Sequence, residues 1–219
     1  MSADTATVDH DAHQRAGLWQ RRLFEAESGL TRFFIQNSDD QLLDEWLKVK
    51  AEIFAGIPAI ASADEGSWQQ VFFRGQALME RFLVGHYGHE RMADWALANA
   101  EVYAATTAGH EFGAAAVAGR FRRQLDNYQS DTHLTLGDSD TAQVTIARCG
   151  IWEYRERARA RGVPITLASP CEYCTKATTA NFAAKGYRSR YTLVDDDTRR
   201  GCRWTLHPDI DTGTVSATA

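Results

Sequence analysis

The sequence predicts an α+β fold, in which an N-terminal helical portion packs with a small C-terminal antiparallel sheet and helices carrying four cysteines. Apolar residues recur at helical spacing through the first 130 residues, and the pattern turns to strand-like alternation at Asp131. All four cysteines then follow, between Cys149 and Cys202.

A chain of 219 residues is long enough to bury a core without staples. Its expected organisation is a loose arm over 1–12, a helical portion over 13–130, a cysteine-bearing α+β portion over 131–207 and a frayed tail over 208–219. Arm and tail are small and polar.

The first helix runs from about His13 to Gln36 on Leu18, Trp19, Leu23, Phe24, Leu30, Phe33 and Phe34, with a break expected near Gly29 and Arg21, Arg22, Glu25 and Glu27 off the stripe. Ser38 is a suitable N-cap for the second, with Asp39 and Asp40 where the helix dipole favours acids. Its stripe is Leu42, Leu43, Trp46, Leu47, Ile53 and Phe54, and Gly56-Ile57-Pro58 ends it. A third helix presents Trp68, Val71, Phe72, Leu78, Met79, Phe82 and Leu83, and Gly85-His86-Tyr87-Gly88 closes it. The fourth spans about His89–Thr107 and the fifth about Gly109–Gln129.

Two strands, His133–Leu136 and Gln143–Arg148, flank the turn-like Gly137-Asp138-Ser139-Asp140. A helix from Gly150 to about Ala160 follows. Ser169 and Pro170 then open another, to about Lys185, with Gly186 as its end. Tyr187–Val194 and Gly201–Leu206 close the fold as strands around the polar turn 195–200.

The net charge of -5 argues against a nucleic-acid surface or an anionic membrane as the main partner. Residues 1–130 hold 12 basic and 18 acidic side chains, the remainder 12 and 11, so the cysteine-bearing part is the less acidic. No apolar run approaches the ~20 residues of a membrane span, and the start Met1-Ser2-Ala3-Asp4 lacks signal-peptide character. The expected compartment is the cytoplasm, the expected partner a small molecule, and homo-oligomer formation stays open.

In a reducing compartment, cysteines serve as metal ligands, catalytic groups or buried thiols rather than as a disulfide framework. Cys149 falls where a strand meets a helix, and Cys171 falls in the first turn of the next helix. Partial positive charge at helix N-termini favours the thiolate, so both should be unusually anionic. Cys174 lies one turn on, and Cys202 comes from the last strand, so the four can converge. The spacings differ from the paired Cys-x-x-Cys knuckles of zinc ribbons. Three readings stand at this point: Cys149, Cys171, Cys174 and Cys202 as ligands of a divalent metal, with zinc first and an iron-sulfur cluster as the alternative; catalysis or redox work by Cys149 or Cys171; and inert packing.

The run Val144-Thr145-Ile146-Ala147-Arg148-Cys149 with its helix, then Cys171 leading a helix, then Gly201-Cys202-Arg203-Trp204-Thr205-Leu206, resembles the C-terminal part of the L-2-amino-thiazoline-4-carboxylic acid hydrolase family. The resemblance covers about residues 144–206, and Cys149, Cys171 and Cys202 carry over. Position 174 departs, because the family pattern has an acid there and this chain has Cys174. The resemblance implies ring-opening hydrolysis of a small cyclic amidine, with a metal activating water or a thiolate attacking the carbon between nitrogen and sulfur.

His110 is the first choice for a general base. His86 and His89, with Glu90, read first as helix-capping or solvated groups. Arg148 and Arg203 are candidate carboxylate clamps, although strand alternation turns them away from the cysteines. Arg155, Arg157, Arg159 and Arg161 read as a solvated surface with Glu153 and Glu156. Trp152, Tyr154, Tyr173 and Trp204 read as core, or as an aromatic wall for a flat ligand. No glycine-rich phosphate loop or Gly-x-Ser-x-Gly elbow is present.

Overall fold

The computed structural model describes residues 3–37, 40–107, 112–196 and 199–209. The helical layer consists of α1 (Ala3–Asn37), α2 (Leu43–Phe54), α3 (Glu65–Tyr87), α4 (Met92–Thr106) and α5 (Ala114–Asn127), with 3₁₀ turns at Asp40–Leu42 and His89–Arg91. After β1 (Asp131–Gly137) and β2 (Thr141–Arg148) come α6 (Gly150–Ala160), α7 (Cys171–Ala183), β3 (Tyr187–Asp196) and β4 (Arg199–Pro208). The antiparallel sheet has the order β1-β2-β4-β3, so β4 lies between β2 and its own hairpin partner. Among the described residues, no helix is long and apolar enough to cross a membrane.

Helix α1 is helical from Ala3 rather than from about His13, and it runs unbroken through Gly29. A Cβ at Gly29 would overlap Asn99 of α4, so the glycine marks a close crossing, not a break. In α2 the expected stripe narrows: Trp46 and Ile53 are buried, whereas Leu43 and Leu47 are 45% and 53% exposed. The helix meets its neighbours along one narrow face only. Ser38 and Asp39, expected to cap it, lie outside the described residues, as do the turn residues Asp197 and Thr198 and the tail from Ile210. Helix α3 is capped by Asp64, whose carboxylate accepts the Ser67 N–H at 3.0 Å.

Two main cores result. The first joins Trp19, Leu23, Leu30 and Phe33 of α1 with Trp46, Trp68, Met79, Leu83 and Trp95. The second lies between α5, α7 and the sheet, where Phe121, Phe182 and Trp204 meet edge to face at 5.4 to 5.9 Å. Strand alternation turns Val144 and Ile146 of β2 and Trp204 and Leu206 of β4 inward, and Cys202 packs with them. A seam of Ala96, Ala100 and Ala180 seats α4 on α7.

Ser139 and Asp140 both have positive φ, +55° and +56°, as the tight β1–β2 turn requires. Asp140 then reaches out of the turn. One carboxylate oxygen accepts the Ala114 N–H at 2.7 Å, capping α5, and the other accepts the Tyr187 hydroxyl. The Tyr187 hydroxyl and the Ala114 N–H hold the Asp140 carboxyl below its ordinary value. The stability this supplies is present above the pKa of an unfolded Asp and is lost as pH falls through the lower folded value. Asp140→Asn should therefore lower the melting temperature at neutral pH, and the difference from the parent should shrink in acid. Melts across the acid range check this.

Candidate functional site

Cys149 ends β2 and occupies the position before α6, with extended backbone (φ -91°, ψ 105°). Three contacts fix that junction. The Cys149 N–H donates to the Arg200 carbonyl at 2.8 Å, and the Gly150 N–H donates to Ser130 Oγ at 3.0 Å. Gly150 itself lies so close to the Tyr128 carbonyl that a Cβ would overlap it. Arg200 lies two residues before Cys202, so the same hydrogen bond that places Cys149 draws in the turn leading to Cys202.

Cys171 opens α7. As expected, Ser169 caps this helix, its Oγ accepting the Cys171 N–H at 3.1 Å, while Glu172 accepts the Ser169 N–H at 3.0 Å. Glu172 also pairs with His89 at 3.2 Å, which binds the α7 N-terminus to the turn before α4. Between the two α7 cysteines Tyr173 points into the helical layer. Its ring stacks on Trp95 at 4.4 Å, and its hydroxyl donates to the Asn99 amide, which donates in turn to the Ala26 carbonyl at 3.2 Å. Cys174 Sγ lies 3.9 Å from Thr178 Oγ1.

All four thiols are free and partly buried, and each lies within electrostatic reach of the other three. Among the described residues, no three His, Cys, Asp or Glu side chains stand ready-made as a metal-holding group. The thiols form a neighbourhood and not a closed cage. Neutral thiols have no charge to draw their sulfurs onto one point.

The expected thiolate character is reversed at Cys149. Burial pushes its thiol up, and the N–H groups of Trp152 and Ile151 at the α6 start offset this only in part. Burial and the neighbouring thiols push Cys174 to about 12, and burial brings Cys202 to about 12 as well. With a pKa near that value, about one thiol in 10,000 is ionised at about pH 8. Alkylation of the chelator-treated, folded protein by iodoacetamide should therefore be far slower at Cys174 and Cys202 than at free cysteine. It should rise about tenfold per pH unit. Fast labelling of Cys174 at neutral pH is the contrary result.

Other candidates fall elsewhere. His110 lies outside the described residues. His86 pairs with Glu45 at 3.0 Å on the helical layer. Arg148 is held by Glu153 at 2.7 Å and by the Gln129 carbonyl at 2.8 Å, and Arg203 is exposed, so neither faces the thiols. Trp204 is core, as expected, and Tyr154 stacks on Phe73 at 3.5 Å.

One arginine of the α6 series departs from its solvated expectation. Arg155 is buried and bonds Glu80 of α3, whose Oε1 also accepts the Gln76 Nε2–H at 3.1 Å. The spacing by two round α6 puts one member of the series inward, and only the acid on α3 makes that tolerable. Beside Cys174, Arg155 and Arg22 line a cavity of about 80 Å³ together with Tyr128, Tyr173 and Gln76. A larger groove of about 510 Å³ shares Phe73 and Arg155 with it but touches no cysteine.

Searches of family models, curated proteins and solved structures return no match. The site therefore has to be read from its own chemistry. Arg22 and Arg155 carry no motif: in the sequence Arg22 lies off the α1 stripe and Arg155 belongs to an arginine series spaced by two. Removing Glu80 would leave Arg155 buried without its partner. Glu80→Ala should accordingly cost about 3–5 kcal/mol of stability, measured by urea unfolding.

Proposed function

We propose that the four cysteines and the adjoining cavity form the active site of a small-molecule hydrolase that opens a small cyclic amidine, the activity implied by the resemblance of residues 144–206 to the thiazoline-carboxylate hydrolases. One observation carries the reading: thiols from the β2–α6 junction, the α7 start and β4 share one partly buried neighbourhood, and one of them, Cys174, lines a cavity.

The donor set suits a soft divalent ion. Glu153 adds negative charge beside Cys149, and the neighbouring thiols bear on Cys174 and Cys202 in the same sense, which favours a cation among the sulfurs. Three of Cys149, Cys171, Cys174 and Cys202 would hold zinc with its fourth position open, where the ion would supply a Lewis acid and an acidified water. The protein's own part is to seat the ring against Tyr128 and Tyr173 and to keep bulk water from the reacting carbon. If fewer than four thiols ligate, Cys149 or Cys171 remains available as the nucleophile.

A second reading has its own support, since the cysteines also join α6, α7 and β4. In that case a four-thiolate zinc or an iron-sulfur cluster is structural or redox-sensing.

Metal content, colour and turnover of 2-aminothiazoline-4-carboxylate by anaerobically purified protein separate the two. Near-stoichiometric zinc, with turnover lost in a folded Cys149→Ser variant, is the expected result. A brown protein with iron and sulfide, or unfolding of Cys149→Ser together with metal loss, would move the reading to the second. Full activity in all four single Cys→Ser variants would remove every cysteine-centred proposal.

A further inference from the structure

The cavity beside Cys174 has a charge imbalance that the thiols do not explain. Its wall holds two guanidinium groups, those of Arg22 from α1 and Arg155 from α6. Arg155 donates from Nη2 to Glu80, but its Nη1 is buried without any hydrogen-bond partner, in a side chain that is 10% exposed. Arg22 Nε is likewise buried and unpartnered. Among the described residues Arg22 has no carboxylate partner, and its guanidinium lies 5.2 Å from the ring centres of both Phe72 and Tyr128. Arg22 hydrogen-bonds the Tyr128 hydroxyl, which feels the charge of both arginines, so the two guanidinium groups address the same space.

Buried donors without acceptors are costly, and a buried cation is tolerated where an anion completes it. Two guanidinium charges against one carboxylate leave the wall one positive charge in excess. The arginine fork matches a planar oxyanion. At roughly 10–15 Å³ for one water-sized probe, the cavity admits a ligand of about five to eight such units, which excludes nucleotides and peptides. The wall also holds the rings of Phe72, Phe73, Tyr128 and Tyr173, with Phe72, Phe73 and Tyr128 set steeply to one another.

We propose that this cavity seats a small planar acid, with its carboxylate on Arg22 Nε and Arg155 Nη1, its body against the aromatic wall, and Cys174 lining the same space. This deepens the hydrolase reading by assigning the groups that would orient the substrate, and it rests on that reading only for the identity of the reacting ring. Arg22 and Arg155 are here binding residues and take no part in bond breaking.

The probes are 2-aminothiazoline-4-carboxylate, its uncharged carboxamide and inorganic phosphate, with binding followed by tryptophan fluorescence and thermal shift on the intact protein. The carboxylate should bind, the carboxamide at least about tenfold more weakly, and Arg22→Gln should lose that preference while keeping its fold. Arg155→Lys keeps a positive charge for Glu80 but loses the fork, and it should weaken carboxylate binding as well. Equal binding of acid and amide, no binding of the acid at millimolar concentration, or tighter and Arg22-dependent binding of phosphate would overturn the proposal. Arg22-dependent binding without turnover would keep the carboxylate seat and remove the hydrolase reading. Turnover with KM unchanged in Arg22→Gln would do the reverse.

Discussion

The close approach at Cys149–Gly150 is the constraint on which the cysteine half depends. With no side chain, Gly150 lets the start of α6 come against the Tyr128 carbonyl at the end of α5, while Ser130 and Arg200 receive the two successive N–H groups. Thus one dipeptide binds the helical layer, the β2 end and the β3–β4 hairpin. With α6 fixed there, Arg155 is carried inward to Glu80 and Cys149 is held near the start of α7. Both the thiol neighbourhood and the guanidinium-lined cavity depend on this one junction.

The thiols and the arginines pose opposite electrostatic problems a short way apart. Burial keeps Cys149, Cys174 and Cys202 protonated in the absence of a cation, whereas Arg22 and Arg155 bring two guanidinium groups to the cavity wall. A region that stores protons on sulfur and excess positive charge on nitrogen is asymmetric. A dipolar ligand, anionic at one end and presenting a soft or electrophilic atom at the other, has one orientation there that satisfies both sides.

Much of the fold was legible because it is written in local pattern. The range of α6, from Gly150 to Ala160, follows from its flanking glycine and its stop signals, and Ser169 caps α7 as its neighbours suggest. Where the sequence misled, the deciding partner was distant. Gly29 reads as a breaker until Asn99 is placed against it, and Leu43 and Leu47 read as core until the narrow face of α2 is seen. Arg155 reads as surface because its partner Glu80 is 75 residues away. The thiolate expectation at Cys149 failed for the same reason: a helix terminus is visible in sequence, whereas the depth at which it is buried is not.

The alanine seam between α4 and α7 sets how the site answers to substitution elsewhere. Ala96, Ala100 and Ala180 leave the two helices with little lateral clearance, and α7 carries Cys171 and Cys174 at its opposite end. The seam therefore works as the fulcrum of a lever. A methylene added at Ala180 would be accommodated by tilting α7, and the displacement would appear at the sulfurs, about two turns away along the helix axis.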